Sequence, residues 1–215
     1  MGDRRTVSES KAIFHKEFPF VIPAVYRRLV DELIVELNLL SNQKQFQPDG
    51  IFALGLKSIF TDFTNGYKPL DQKNVLLPAI CKSTGFSYEA IEGLAKELVT
   101  VSETFSLEDL KTTIDKQDGN LEEKDKYQIL KLNKHYSRLV GIGLIKFAEL
   151  TGLIQNSDVN VPDSFDQLIC FIGFKKDRIE KEISLYRTNK DKIAKALELI
   201  EINKNDENRR REKKG

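Results

Sequence analysis

Apolar residues along this chain fall at helical spacing almost everywhere, and no stretch shows the strict alternation of a strand. Val25, Leu29, Leu33, Leu37 and Leu40 form one stripe, which Tyr26 and Val30 widen. Phe52, Leu56, Ile59, Phe60, Phe63 and Tyr67 form a second. Two dense amphipathic helices therefore follow one another, and neither carries a catalytic group. Gly55 lies on the apolar side of the second, where a missing side chain lets another helix come close.

Capping signals divide the chain further. A short helix spans about Ser8 to Lys16 and stops near Pro19. Pro23 opens the next, which runs to about Ser41. Asp49 caps the third, and Gly66 with Pro69 ends it. Asp71 caps a fourth that ends before Gly85; with Pro78 inside it, either the helix kinks or its stable part starts near Pro78. Ser87 caps a fifth, with Ile91, Leu94, Ala95 and Leu98 inward. Ser106 to Asp109 resembles a capping box opening a sixth, and the polar stretch Lys116 to Asp125 reads as a loop. A long helix follows to about Leu150, with Leu132, Tyr136, Leu139, Val140, Gly143, Phe147 and Leu150 on one face and Gly152 as its stop. A second capping box, Ser164 with Gln167, opens a helix holding Leu168, Ile169, Phe171 and Ile172.

From Lys176 the pattern changes. Ile179, Ile183, Tyr186, Ile193, Leu197 and Ile200 follow an a/d heptad series, with Lys190 at a polar a position. Too few heptads are present for a firm free coiled coil, so the arm either folds back on the body or projects to dimerise or grip a partner. The expected fold is all-α: a multi-helix bundle with a long C-terminal heptad-patterned helix. Residues 1–174 form the bundle, 175–204 the coiled-coil-like helix and 205–215 a disordered basic tail.

Composition narrows the function. In 215 residues, 34 Lys+Arg nearly cancel 33 Asp+Glu, leaving a formal charge of +1, which argues against a dedicated nucleic-acid binder. A hydrophobic content of 40% supplies a sizeable core. The longest apolar run, Leu139 to Ile145, is far short of a bilayer crossing, and no signal or transit peptide precedes the first helix. Cys81 and Cys170 both sit among apolar residues and read as buried reduced thiols rather than a disulfide.

Enzyme motifs are missing. His15 and His135 are the only histidines, and neither has a ligand at metal-binding spacing. No P-loop, dinucleotide-binding glycine fingerprint or nucleophile elbow occurs. Gly141 and Gly143 sit in an apolar helix, where they allow close packing rather than cradle phosphate. Glu32 and Glu36 share a helix face without the Glu-x-x-His partners of a di-iron site, so they read as a solvated face. A thiol nucleophile at Cys81 or Cys170 would need a base, for which His135 is the nearest candidate.

Arg27 with Asp31 and Arg28 with Glu32 are spaced to pair along one helix. They are either surface pairs or polar contacts between helices, or else a partner-binding face. Tyr26 beside them and Arg138 beside Tyr136 raise the same question.

Several blocks then converge on one family. Thr6-Val7-Ser8-Glu9-Ser10-Lys11, Val25-Tyr26-Arg27-Arg28-Leu29-Val30-Asp31-Glu32-Leu33, Phe52-Ala53-Leu54-Gly55-Leu56 with Phe60 and Phe63, and Gly66-Tyr67 resemble the thylakoid formation protein family, whose cyanobacterial members are also called photosystem II biogenesis proteins. Tyr136-Ser137-Arg138-Leu139-Val140-Gly141-Ile142-Gly143-Leu144 resembles that family's second strong block. The likeness extends over nearly the whole chain. It implies a helical, non-enzymatic auxiliary protein without cofactor, metal or small-molecule substrate. It also implies association with the FtsH-type membrane protease of the thylakoid, and through it a role in photosystem II repair. Plant relatives carry a transit peptide, so the resemblance implies a cyanobacterial member, peripheral on the cytoplasmic side of the thylakoid membrane. The alternative is a photosystem assembly factor that binds pigment, lipid or assembly intermediates directly.

Overall fold

In the computed structural model, residues 5–105, 108, 136–154, 163–171 and 174–212 are described, and among them every regular element is a helix. In chain order these are α1 (Val7–Glu17), α2 (Ala24–Ser41), α3 (Gly50–Phe63), α4 (Leu70–Thr84), α5 (Tyr88–Glu103), α6 (Arg138–Leu150), α7 (Asp163–Phe171) and α8 (Lys176–Glu212). The capping box at Ser106, the loop at Lys116 to Asp125, and His135 lie outside the described residues.

The middle of the bundle is the pair α3 and α6. On α3, Ile51, Phe52, Ala53, Leu54, Leu56, Ile59, Phe60 and Phe63 are all buried, so the helix is apolar nearly all round, as a central helix must be. Gly55 and Gly143 are the reason α6 fits so closely. A Cβ at Gly55 would run into the carbonyl of Leu139, and one at Gly143 into the carbonyl of Ile51. Helix α5 flanks this pair, and α1 and α2 pack on α4. Buried Asn38 ties α1 to α2 by donating to the Arg5 carbonyl and to Ser10 Oγ, each at 2.9 Å. Phe46, Phe52 and Phe86 stack edge to face and tilted beside the loop into α3.

Several sequence boundaries shift for local reasons. Asp71 does not cap α4: the helix starts at Leu70 after Pro69, and Asp71 sits in the first turn, where a carboxylate suits the positive helix end. The helix continues through Pro78 without a break. The hydrogen bond that proline forfeits would go to Asn74, which is exposed, so water can serve that carbonyl. Tyr136 does not belong to α6. Ser137 is extended, and its hydroxyl accepts from the Val140 amide at 3.2 Å, which starts the helix at Arg138. Leu150 at the far end is exposed rather than inward. Ser164 lies inside α7, whose first residue is Asp163, so it is not the capping residue.

Helix α8 is a single 37-residue helix with two surroundings. Its first turns lie on α6, α2, α3 and α7. Ile179 and Tyr186 are buried, and Ile183, Ile193 and Leu197 pack against the core at its margin. Arg178 lies over the Tyr136 ring at 3.7 Å, and Tyr136 meets Phe174 edge to face. Tyr186 donates to Asp62 of α3, and Lys190 reaches the same carboxylate at 3.3 Å. The lysine at the polar a position thus faces an acid on the bundle. Ile200 is 53% exposed and does not join the docked stripe. The helical backbone continues through 205–212, so no helix end marks the boundary expected at residue 205.

Candidate functional site

Glu32 and Glu36 lie one turn apart on the edge of the α2 apolar stripe. Arg138, the first residue of α6, reaches across to both. Its Nη1 donates to Glu32 Oε2 at 3.1 Å and its Nη2 to Glu36 Oε2 at 3.0 Å. Arg28 Nε donates to the other oxygen of Glu32 at 2.8 Å. Glu36 Oε1 accepts from the Leu139 amide at 3.4 Å, so a glutamate of α2 helps cap α6 from outside, at the end where a negative charge is favoured. This overturns the solvated-face reading of the two glutamates: the Glu36 side chain is only 19% exposed. The reason is tertiary, since Arg138 comes from the far half of the chain.

The charges settle accordingly. Burial pushes the Glu36 carboxyl above its ordinary value, against the opposing pull of Arg138. At Glu32 burial also acts upward, but the hydrogen bonds and charges of Arg28 and Arg138 outweigh it, and the carboxyl sits below its ordinary value. Burial tends to lower Arg138, yet Glu36 and Glu32 together raise it, so the guanidinium stays charged.

The other candidates separate from this cluster. Tyr26 is a core residue, stacked on Tyr67 at 4.9 Å and donating to the Asn65 carbonyl at 3.3 Å. Arg27 and Asp31 do not pair: Arg27 donates to the Ile22 carbonyl at 3.0 Å, and Asp31 binds Lys11 of α1 at 2.6 Å. Arg28, Glu32 and Arg138 remain together, joined by Glu36.

Beside that cluster α8 closes one side of a pocket of about 150 Å³. Val25, Leu29, Phe63 and Ile193 give it apolar walls. Arg28, Glu32 and Arg138 supply polar groups from α2 and α6, and Asn189 and Lys192 supply them from α8. Sequence reasoning paired Arg28 with Glu32 and named Arg138 and Ile193, but it did not bring the four to one place, and it passed over Asn189 and Lys192, whose positions off the heptad stripe carry no local signal.

Cys81 is fully buried, and burial pushes its thiol up to about 12. Such a thiol is protonated at neutral pH and is no nucleophile. The side chain of Cys170 lies outside those described. In a Cys170→Ala background, Cys81 should resist iodoacetamide at pH 8 in the folded protein and react fully in denaturant. Fast labelling of the native protein would contradict this burial. Among the described residues no group of His, Cys, Asp and Glu could hold a metal ion, and no helix is long and apolar enough to cross a membrane.

Comparison with known proteins places this helical chain in a family. The profile of the family described as Thylakoid formation protein matches residues 6–215. A protein named Thf1 from Prochlorococcus marinus strain MIT 9211 is 51% identical over 211 residues, covering 98% of this chain and 95% of the relative. The Thf1 of strain NATL1A is 40% identical over 192 residues, covering 88% and 91%. A solved structure of Psb29 superposes with a TM-score of 0.79 at 27% identity, covering 96% of this chain and 98% of that one. With a profile matched over nearly its whole length and a relative above half identity, the chain belongs to the thylakoid formation protein family.

Proposed function

We propose that this protein is a non-enzymatic auxiliary protein of cyanobacterial thylakoids, peripheral on the cytoplasmic side of the membrane. It associates with FtsH-type proteases and supports their accumulation, and so serves photosystem II biogenesis and repair. The observation that carries this reading is the divided character of α8. Through Leu197 its heptad residues Ile179, Ile183, Tyr186, Ile193 and Leu197 pack on the bundle, and Leu185 alone of the large apolar residues there is exposed, at 49%. Beyond that point Leu199, Ile200 and Ile202 are 61%, 53% and 48% exposed on an unbroken helix, an apolar surface with no use inside the fold. A second support is chemical: the Cys81 thiol is buried and protonated, and Arg138 with Glu32 and Glu36 holds α2 to α6.

Direct pigment binding fits the pocket beside Arg138 poorly. At about 150 Å³ it falls below the several hundred Å³ typical of small-molecule sites.

The test is made on the full chain. Tagged wild type and a Leu199→Glu, Ile200→Glu, Ile202→Glu variant are purified from gently solubilised cyanobacterial membranes. The wild type should bring down the FtsH-type protease and the variant should not. In a deletion strain the protease should fall in abundance and photosystem II should recover slowly after strong light. Unchanged protease levels there would sink the reading.

A further inference from the structure

The pocket between α2, α3, α6 and α8 has a one-sided chemistry. Both oxygens of Glu32 are already taken, one by Arg28 and one by Arg138. What remains open on the polar rim is almost all donor. Arg28 spends only its Nε, and its side chain is 88% exposed, so its two Nη groups are free. Arg138 is not among these open donors: its two Nη groups go to Glu32 and Glu36, and its Nε is buried. Among the described residues Lys192 and Asn189 make no hydrogen bond or ion pair, and Lys192 is exposed. Of the charged residues that line the pocket, Arg28, Arg138 and Lys192 stand against Glu32 alone, so the unbalanced charge there is positive. Below this rim the walls are Val25, Leu29, Phe63 and Ile193. An apolar cavity of about 150 Å³ is known to accept a benzene, the size of one phenylalanine ring.

The geometry points to this pocket as the receptor for one aromatic side chain of an acidic peptide segment on a partner protein. The ring fills the apolar floor. A flanking Asp or Glu carboxylate receives the free Arg28 and Lys192 donors, and the Asn189 amide is placed to bond the peptide backbone. The cavity is too small for a large ligand but suited to an anchoring residue, the kind of buried aromatic contact that dominates protein interfaces. The assignment rests on the adaptor reading for its biological meaning and is separable from it in test. It adds to the exposed tip of α8 a second contact point, between bundle and arm, since Ile193 and Lys192 come from α8 and Arg28 and Leu29 from α2.

The probe is a blocked pentapeptide, Glu-Asp-Phe-Asp-Glu, titrated into the isotope-labelled full chain and followed by amide chemical shifts. Shifts should concentrate at residues 25–32 and 189–193. The same peptide with alanine in place of phenylalanine, and a Lys-Lys-Phe-Lys-Lys peptide, should each bind at least roughly tenfold more weakly. Arg28→Glu and Lys192→Glu, both at exposed positions, should each weaken the acidic peptide about tenfold while leaving the helical signal unchanged. Ile193→Trp should block it by filling the floor. Equal binding of the basic peptide, shifts confined to other regions, or an unaffected Lys192→Glu variant would overturn the assignment. Anionic phosphatidylglycerol vesicles that produce the same shifts and displace the peptide would overturn it too, in favour of a lipid headgroup. A chain that binds the peptide but brings down no protease keeps the pocket and loses the protease reading. Recovery of the protease without peptide binding does the reverse.

Discussion

Replacing Gly55 or Gly143 by alanine should cost this protein about 3 kcal/mol of stability, the upper range of overpacking a tight core. For a chain of this size that is a fall in Tm of roughly 6–12 °C. Each added Cβ meets a backbone carbonyl of the facing helix, of Leu139 in one case and Ile51 in the other. A flexible side chain could swing aside, but a carbonyl inside a helix moves only if the whole helix does. So α3 and α6 must separate, and the apolar contacts along both loosen together. The two changes should be less than additive, because a separation forced by one methyl already makes room for the second. Gly93 supplies the contrast. It occupies an exposed position on α5, with nothing within 4 Å of where a methyl would stand, and Gly93→Ala should stabilise by about 0.5–1 kcal/mol. Thermal melts of the three single variants and the double decide it. A neutral Gly55→Ala would mean that α3 and α6 do not approach as described.

Removing the arginine that bridges α2 and α6 has the second large effect. Arg138→Met should destabilise by about 3 kcal/mol, because it strands a buried carboxylate. Glu36 is the residue concerned, with its side chain 19% exposed and its second oxygen on the Leu139 amide. A Glu36→Gln change in the same chain should restore at least half of the loss, which a merely lost packing contact would not allow. The pH dependence has a definite sign. Burial already raises Glu36 above its ordinary 4.5, and Arg138 is the main force holding it down. Without Arg138 the folded value climbs further. Between 4.5 and that folded value, the folded variant holds a proton that the unfolded chain has released. The stability of Arg138→Met relative to wild type should therefore improve as pH falls through this window. Denaturant titrations at pH 8 and pH 5.5 measure it, and an equal deficit at both would show that Glu36 is not the stranded group. Glu32 carries the opposite sign: with its carboxyl lowered, the stability it lends is present above its unfolded value and is lost as pH falls through the folded one.

Local signals in the sequence reach as far as elements and faces. The stripes of α2 and α3 are legible because a helix buries what repeats at its own period, and Leu29, Leu33, Leu37, Phe52, Leu56 and Phe60 all end in the core. The caps at Asp49 and Ser87 are legible because a short polar side chain must serve the first amides. Glycine in an apolar stripe announces a close approach, and Gly55 and Gly143 provide one. Pairings between distant segments are not legible this way. Glu36 gave one clue: it sits between Leu29 and Leu40 at helical spacing, on the border of the stripe rather than opposite it, where an acid needs a partner. Nothing local names that partner as Arg138. The heptads of α8 show the same limit. Their spacing specifies an apolar seam, but a seam is satisfied equally by a second helix or by a bundle surface; burial of Ile179 and Tyr186, with the Asp62 and Tyr136 contacts, is what joins its inner part to the bundle.

Because α8 passes from docked to free without a break, the bundle dictates the azimuth of the exposed tip as well as its direction. A helix turns about 100° per residue at roughly 3.6 residues per turn, so Leu199, Ile200 and Ile202 face a compass bearing set by Ile179 and Tyr186 several turns earlier. One alanine inserted after Glu198 would leave every docked side chain in place and keep the tip's composition, yet swing its apolar side about a quarter-turn around the axis. Four inserted residues would return it nearly to its starting bearing, about 6 Å farther out. The arm thus behaves like a key cut on a fixed shank, readable by phase and not only by sequence.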